Sequence, residues 1–460
     1  MNISEKIGEP VLAGPTPPEK QLPFLKFIKM VQDSPIATFP VAAYEEPVWE
    51  SNYFFGRSLL VSDPTGVKRV LLDNVANYPK AEMEMEVLAA AFGDGLLTSQ
   101  GEKWRSHRRI MSPSFDFRSI VSYAPQMVET TSSYLDDFDA RGDGATIDIS
   151  DEMTKLTLKI VSQTMFSADS SGLEELVGKT LHDGQEQLTF GFIDLIPVIG
   201  RWHMSRRLAQ VHATFGQLDE AMYGLIRARA KADGPPKDLL DRLVAARDSE
   251  SGTKMTEEEV RDETVIIFLA GHETTAVAMT FVWYLLSQHP AAEAKLHAEL
   301  ESVLGGRAPE YADLEKLPYT RMVIEESMRL YPPAPGLSMR QAREADEIAG
   351  RKIPKGTNII IAPWVLHRHR LLWENPDRFE PERFSEENSV GRPRFAYLPF
   401  GGGPRICIGA TLAMTEASLM LATIAQRCKF RLAPDQKIEL YDRITLRPRG
   451  GMKMFVDRRS

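Results

Sequence analysis

Hydrophobic residues are most concentrated in residues 256–288, where they occupy nearly every face of a helical projection rather than a single stripe. The segment opens with Thr256 and Glu259 in the spacing of a capping box, and it ends before Pro290, which disfavours continuation of a helix. A helix of this length extends about 50 Å at roughly 1.5 Å per residue. Because its surface is apolar almost all round, we expect this helix to be buried in the protein interior.

Shorter segments predict the rest of a mainly α fold with small β-sheets near both ends of the chain. Further helices are expected at about 291–304, 318–331 and 408–427, and short strands at 58–63, 357–363 and 452–457. The sequence contains no internal repeat, and its one loop-like break is too short to separate two domains. We therefore expect a single domain over residues 1–460, in which residues 1–20 form an N-terminal arm.

The composition is typical of a soluble globular protein. Hydrophobic residues make up 43% of the 460, and 55 Lys and Arg against 64 Asp and Glu give a net charge of −9, which argues against general nucleic-acid binding. The sequence shows no secretory leader, and we expect no stretch to be apolar enough to span a membrane. The two cysteines cannot form a disulfide framework. We expect a cytoplasmic protein without a transmembrane anchor.

One of the two cysteines, Cys407, lies in the glycine-rich stretch FGGGPRICIG at residues 400–409. The stretch lacks the Gly-Lys-Ser/Thr of a phosphate-binding loop and does not follow a strand, so a phosphate site is disfavoured. The glycines at 401–403 would let the backbone approach a flat ligand, and the helix that starts after Cys407 would lower the pKa of its thiol. The thiolate could be a nucleophile or a metal ligand. Because no general base and no further Cys or His ligand lies nearby, one axial bond to a haem iron fits this stretch.

The second stretch whose residues could take part in a reaction is AGHETTA at residues 270–276, in the middle of the long helix. The HExxH zinc motif is excluded because position 276 is Ala where a second His is required. The Thr274 hydroxyl is expected to bond to the carbonyl of Ala270 and to open the helix locally. Together with Gly271, this would form a groove wide enough for dioxygen and a water molecule.

These stretches resemble motifs of the cytochrome P450 monooxygenases. FGGGPRICIG matches the haem-binding signature F-x-x-G-x-R-x-C-x-G at every fixed position, and AGHETTA is similar to A-G-x-[DE]-T-T. ESMR at 326–329 and FEPERF at 379–384 are similar to the E-x-x-R and F-x-P-E-R-F motifs. The resemblance runs from about residue 40 to 456 and is locally closest to bacterial soluble fatty-acid hydroxylases, at 93–104 and 329–338. It implies the P450 fold, with the long buried helix above a haem and the cysteine loop and its following helix below.

The resemblance implies haem b, iron protoporphyrin IX, as the cofactor and Cys407 as the proximal metal ligand. The other haem-binding positions that it implies are Phe400 beside the sulfur, the propionate partners Arg405, Trp104, Arg108 and Arg340, and the contact positions Ala270, Gly271, Gly401 and Gly409. It also implies that Thr274 holds dioxygen, that Glu273 feeds protons from solvent, and that Glu326, Arg329 and Arg383 form a structural triad locking the cysteine loop. For His272, beside the acid, a structural or solvent-facing role is expected.

By the same resemblance, the substrate is hydrophobic: a fatty acid, a terpenoid or an aromatic compound. The positions implied to line its pocket are Leu97, Ile266, Leu269, Ala270, Ala334 and Gly336. The segment 190–202, FGFIDLIPVIGRW, is similar to a mobile lid between two helices, although plain core packing is the alternative.

The function implied is that of an O2-dependent monooxygenase. Two electrons would come from a ferredoxin or flavodoxin with its NAD(P)H-dependent reductase, because no fused reductase follows, and Lys103, Arg105 and Arg109 would offer a basic face to an acidic donor. The chain is expected to be a monomer. A peroxide-driven peroxygenase is the alternative within the fold, but that branch tends to replace the acid–Thr pair with Arg-Pro. A haem-based sensor is the alternative from another class, and it would be expected to carry an output domain or an abandoned proton relay.

Overall fold

The computed structural model describes residues 12–53, 56–167, 199–231 and 238–459, together with Leu176 and Thr180. Most of the segment interpreted as a lid, 190–202, lies outside these residues, as do residues 1–11 of the expected arm. Helices dominate the described residues, as the sequence pattern predicts.

The α-helices vary from single turns to rods of 32 residues. In chain order they are α1 (Phe24–Asp33), α2 (Pro64–Lys68), α3 (Glu82–Phe92), α4 (Gly101–Met111), α5 (Phe117–Arg141), α6 (Ile149–Phe166), α7 (Ile199–Ala230), α8 (Leu239–Ala245), α9 (Glu257–Gln288), α10 (Pro290–Leu304), α11 (Pro318–Leu330), α12 (Pro363–Leu366), α13 (Glu386–Ser389) and α14 (Ala410–Arg427).

The strands are short and form small sheets beside the helices. They are β1 (Val48–Tyr53), β2 (Gly56–Val61), β3 (Ala145–Asp148), β4 (Arg340–Gln341), β5 (Asp346–Ile348), β6 (Arg351–Ile353), β7 (Asn358–Ile360), β8 (Cys428–Leu432), β9 (Leu440–Asp442), β10 (Leu446–Pro448) and β11 (Lys453–Arg458). The largest sheet has the order β1-β2-β7-β4, in which β2 and β7 are parallel; β3-β11-β8 forms a second sheet, and β5-β6 and β9-β10 are antiparallel pairs.

The long helix α9 runs through the hydrophobic core, as predicted. Its N-terminus carries the expected capping box, in which Glu259 N donates to Thr256 Oγ1 at 3.1 Å and Thr256 N donates to Glu259 Oε2 at 2.9 Å. It packs against α6, α7, α11 and α14. Because neighbours surround it on several sides, most of its side chains are buried.

One sequence expectation fails at this helix. Among the described residues, Glu257–Gln288 is one helix that is long and apolar enough to cross a membrane, contrary to our expectation that no stretch would qualify. However, 83% of its most apolar window is buried inside the protein, which is typical of a core helix. Its hydrophobicity is thus accounted for by protein packing rather than by lipid.

The described part of the N-terminal arm forms a strap across this core. Ala13 N donates to Tyr284 Oη of α9 at 3.0 Å, and Tyr331 Oη, directly after α11, donates to Ala13 O at 2.8 Å. Two hydrogen bonds to buried tyrosines therefore fix the arm at this point.

Candidate active site

A cavity of about 820 Å³ lies between α9 on one side and the cysteine loop with α14 on the other. The loop after α11, the β9–β10 hairpin and residues of the N-terminal third complete its wall. Small residues occupy both main walls, with Ala270 and Gly271 on α9 and Gly409 and Ala413 at the start of α14. The small side chains leave both of these walls nearly flat, so the cavity suits a flat ligand.

The cysteine loop, residues 400–409, turns tightly on its own backbone. Cys407 N donates to Phe400 O at 3.0 Å, and Ile406 N donates to Gly403 O at 3.1 Å. Gly401 and Gly403 adopt positive φ of 71° and 68°, whereas Gly402 is extended. A Cβ on Gly403 would lie 1.8 Å from the carbonyl oxygen of Leu71. Gly403 is thus needed for packing against the protein's own backbone, a role that differs from the expected approach to a ligand.

The side chain of Cys407 opens onto the cavity, whereas the other cysteine, Cys428, is buried in the core. Gly409, the N-cap of α14, donates its N–H to the sulfur. Burial raises the pKa of the Cys407 thiol and outweighs the opposing effects of this hydrogen bond and of the Arg108 guanidinium. The expectation of a lowered pKa is therefore wrong for the free thiol. A thiol in such surroundings ionises when a metal ion supplies the missing positive charge.

Besides Arg443 on the β9–β10 hairpin, four cationic side chains line the same cavity: Lys80, Arg108, Arg340 and Arg405. Burial lowers the pKa of each, that of Lys80 to about 7 and that of Arg405 to about 10, and the charges of Arg340 and Arg405 contribute to the shift of Lys80. Glu84 acts on Lys80 and Arg340 in the opposite sense. Since one carboxylate faces several cations, this side of the cavity favours an anionic ligand.

Contacts within the protein fix Arg405, whereas Arg340 keeps an unsatisfied hydrogen-bond donor. Arg405 lies 4.1 Å above the ring of Trp104 and donates to Ser99 O at 2.9 Å. The Nε of Arg340 is buried, and within the described part of the chain nothing accepts a hydrogen bond from it. A buried N–H group without an acceptor is costly unless a ligand provides one. The thiol, the cation cluster and the nearly flat walls together fit a haem, whose two carboxylates would meet these cations.

The cavity face of α9 carries Thr274 and Thr275. Thr274 Oγ1 donates to Ala270 O at 2.9 Å, the bond expected from the sequence, and Thr275 Oγ1 donates to Gly271 O at 3.3 Å. The helix nevertheless continues without interruption through these residues, so the expected local opening is absent from this structure. The Thr274 hydroxyl is therefore held at the cavity wall by an intact helix.

The neighbouring Glu273 is directed away from the cavity. Its Oε1 accepts a hydrogen bond from the Thr445 hydroxyl, and Arg447 Nη2 lies 2.8 Å from the same oxygen. His272 is completely buried, with Nδ1 2.7 Å from Phe268 O, and burial lowers its pKa. Of the two roles considered for His272, the structural one agrees with this position.

Five of the six expected pocket residues line the cavity. Leu97, Ile266, Ala270, Ala334 and Gly336 line the cavity. Leu269 does not, and instead belongs to the hydrophobic core. The cavity-lining positions of α9 recur every three or four residues, so Leu269 falls one residue outside their face, and Ile267 takes its place.

The three residues of the predicted triad lie together in a buried setting. Arg329 Nε is 2.6 Å from Glu326 Oε2, its Nη2 is 2.8 Å from Glu326 Oε1, and both side chains are fully inaccessible. Arg383 Nε lies 3.4 Å from Glu326 Oε1, and Arg329 also donates to three backbone carbonyls, those of His367, Pro376 and Arg378. Arg329 thus ties α11 to the segment that precedes the cysteine loop.

The basic face expected at α4 is largely neutralised. Lys103 pairs with Asp94 at 3.0 Å, Arg105 with Glu102 at 2.9 Å, and Arg109 with Asp248 at 3.0 Å. These residues therefore do not form a patch of unpaired cations. Sequence reasoning also missed functional candidates, namely Lys80, Ile267 and the hairpin residues Asp442, Arg443 and Ile444.

Comparison with known proteins agrees with this site. Cyclooctatin synthase of Streptomyces melanosporofaciens is 36% identical over 405 residues, covering 86% of this chain and 85% of the relative. Cyclooctat-9-en-7-ol 5-monooxygenase of the same species is 35% identical, covering 82% and 81%. A crystal structure of the cytochrome P450DA heme domain superposes with a TM-score of 0.85 at 26% identity, over 98% of both chains. The family model for cytochrome P450 matches residues 15–454, and the chain therefore belongs to the cytochrome P450 family of haem-using monooxygenases.

Proposed function

We propose that Cys407 binds the iron of haem b and that the enzyme hydroxylates a hydrophobic small molecule with O2 and two electrons. The observation that carries this proposal is the position of the Cys407 sulfur, on the wall of the same cavity that Lys80, Arg108, Arg340 and Arg405 line. When bound, a haem with a thiolate ligand supplies the activation of O2. Arg340, Arg405, Arg108 and Trp104, together with Lys80, would hold its carboxylates, and Phe400, Gly401, Gly409, Ala270 and Gly271 would contact it.

The protein's own groups provide orientation, exclusion of water and protons. The Thr274 hydroxyl faces the cavity and would hold a hydrogen bond beside the site of O2 binding. The Glu273 carboxylate, on the adjacent residue, would bring protons from the outer side of α9. The triad of Glu326, Arg329 and Arg383 would keep the cysteine loop in place.

For the substrate we propose a terpenoid-sized apolar molecule, with a fatty acid as the alternative suggested by the local sequence likeness. The pocket residues Leu97, Ile266, Ala334 and Gly336 are apolar or small, and the two Streptomyces relatives include one named as a monooxygenase of cyclooctat-9-en-7-ol. A screen of terpenoids and fatty acids for a low-to-high spin shift would identify binders. We further propose a cytoplasmic, monomeric protein that is one haem domain and receives electrons from a ferredoxin or a flavodoxin through a NAD(P)H-dependent reductase.

The spectrum of the reduced protein with carbon monoxide tests the proposed haem ligand. We expect the strongly red-shifted band of thiolate-ligated haem, and we expect Cys407→Ser to abolish it. Cys428→Ala is the matched control, because this buried core residue does not line the cavity. A band at the position of His-ligated haem in the parent protein, or an unchanged band in Cys407→Ser, would exclude the assignment.

A further inference from the structure

The β9–β10 hairpin connects two features of the site that are described separately above. Its turn residues Arg443 and Ile444 line the cavity, together with Asp442 at the end of β9. The next residue, Thr445, and Arg447 on β10 contact Glu273 on α9. One short hairpin therefore faces the cavity at its turn and holds the predicted proton-relay acid beside it.

The contacts that Thr445 and Arg447 make to Glu273 converge on a single oxygen. The Thr445 hydroxyl donates to Oε1, Arg447 Nε donates to Oε1 at 3.2 Å, and Arg447 Nη2 lies 2.8 Å from it. Thr445 is buried, whereas the side chain of Arg447 remains 27% exposed and that of Glu273 only 11%. The carboxylate is thus held in a partly buried ion pair whose arginine side reaches solvent.

The hairpin is itself held by two other parts of the chain, residues 34–36 and Pro333, so its position relative to Glu273 is constrained. Asp442 accepts hydrogen bonds from Ser34 Oγ at 2.5 Å and from Ile36 N at 2.7 Å. Leu446 N donates to Pro333 O at 3.0 Å, beside the cavity-lining Ala334. Because these anchors flank Thr445, the orientation of its hydroxyl toward Glu273 is constrained by its neighbours.

We infer that Arg447 and Thr445 are positioning residues for Glu273, setting the orientation from which this acid receives protons from solvent and transfers them to the cavity. The inference rests on the proposed function, in which Glu273 feeds protons to the site. The step is a proton transfer: solvent water gives one proton to the carboxylate, the carboxyl gives one to the cavity, and the carboxylate is regenerated. Arg447 keeps the anion at the solvent side of α9 between transfers, and Thr445 fixes the oxygen concerned.

A purely structural ion pair, which only joins the hairpin to α9, is the competing interpretation. The two interpretations differ in proton-dependent readouts. We would measure peroxide formed per NADPH consumed, and the solvent isotope effect on NADPH oxidation in D2O. The holoenzyme would be assayed with a plant-type ferredoxin and its reductase, with and without dodecanoic acid as a probe.

For Arg447→Gln we expect a two- to five-fold rise in peroxide per NADPH and a change in solvent isotope effect in the same direction as for Glu273→Gln. Arg447→Lys should restore much of the parent behaviour, because it keeps a cation near Oε1. Arg449→Gln is the matched control: Arg449 lies directly after the same hairpin but pairs with Asp33 at 2.7 Å. All variants should retain the thiolate band with carbon monoxide.

The outcomes separate this inference from the function on which it rests. If Glu273→Gln uncouples the enzyme while Arg447→Gln matches the parent, the hairpin does not position the acid and the inference is overturned. If Glu273→Gln leaves both readouts unchanged, the proton relay is wrong, and the positioning role falls with it. If Arg449→Gln has the same effect as Arg447→Gln, the change reflects loosening of the hairpin, which also overturns the inference.

Discussion

The Nδ1 atom of His107 on α4 lies 2.6 Å from Oε1 of Glu263 on α9, and both side chains are almost completely buried. Glu263 Oε2 also accepts a hydrogen bond from Leu96 N at 3.0 Å, so this carboxylate fixes a cavity-lining loop as well as a helix. Burial by itself lowers the pKa of His107. The hydrogen bond to Glu263 and the charges of Glu263 and Glu259 outweigh that effect, so the pKa is raised.

This pair predicts a pH-dependent contribution to stability. A histidine whose pKa is raised in the folded state stabilises the fold fully below its unfolded pKa of about 6.5, and the stabilisation is lost as pH rises through the folded value. We expect His107→Gln to be about 1.5–3 kcal/mol less stable than the parent at pH 6, the range for a hydrogen bond to a charged group. The deficit should shrink toward pH 9. Urea unfolding of both proteins at each pH measures it, and a deficit that does not vary with pH would contradict the assignment.

An arginine of the buried triad and an arginine on the surface of the same helix should contribute very differently to the free energy of unfolding. Arg329→Met leaves the fully buried Glu326 without its closest cation, which is expected to cost about 3–5 kcal/mol. Arg321, at an exposed position of the same helix, pairs with Glu325 at 3.3 Å, and its side chain is 67% exposed. Arg321→Met should therefore change the free energy of unfolding by at most about 1 kcal/mol. Equal effects in urea unfolding would refute the structural role of the triad.

Two glycines of the cysteine loop allow backbone strain to be separated from steric overlap. Gly401→Ala meets nothing closer than Leu337 Cδ2 at 3.9 Å, so it should cost only the strain of positive φ, about 1–2 kcal/mol. Gly403→Ala adds an overlap with the Leu71 carbonyl and should displace the loop. We expect the thiolate band with carbon monoxide to persist in Gly401→Ala and to be reduced or lost in Gly403→Ala. Equal band intensities in the two variants would show that the Leu71 contact does not set the loop.

The cation cluster of Lys80, Arg108, Arg340 and Arg405 is expected to strengthen haem binding. Arg340→Met removes a buried guanidinium whose Nε has no protein acceptor among the described residues. Because this donor is available to a haem carboxylate, its removal should weaken haem binding. With a charge-assisted hydrogen bond worth about 1.5–3 kcal/mol, haem affinity should fall about ten- to a hundred-fold. Arg343→Met, at an exposed position that does not line the cavity, is the control. The haem-to-protein ratio after transfer to excess apomyoglobin measures the effect, and equal retention would argue against a propionate contact.

Much of the fold and the cysteine loop could be predicted because their signals are local in sequence. The capping box at Thr256 and the proline at 290 bracket α9 within one residue at each end. The Thr274 bond to Ala270 follows from helix geometry over four residues. Such features depend on neighbours a few positions away, and a single sequence contains them.

The features that the sequence did not predict depend on contacts between distant segments. Lys80 is a single lysine after a proline, and only folding brings it beside Arg340 and Arg405. The orientation of Glu273 depends on Thr445, 172 residues later. Leu269 was assigned to the pocket by resemblance, and because α9 is apolar on nearly all faces, hydrophobicity could not show that it lies off the face that meets the cavity.

The proposed role of Thr274 predicts uncoupling when its hydroxyl is removed. In Thr274→Ala, the cavity face of α9 keeps its helix but loses the group that holds a hydrogen bond beside the O2 site, so electrons should be diverted to peroxide. We expect peroxide per NADPH to rise several-fold, while the haem content and the thiolate band stay at parent values. Thr274→Ser retains the hydroxyl on the same helix and should behave like the parent. If Thr274→Ala and Thr274→Ser give the same peroxide yield as the parent, the hydroxyl is not part of proton delivery, and Glu273 must reach the cavity by a route that avoids Thr274.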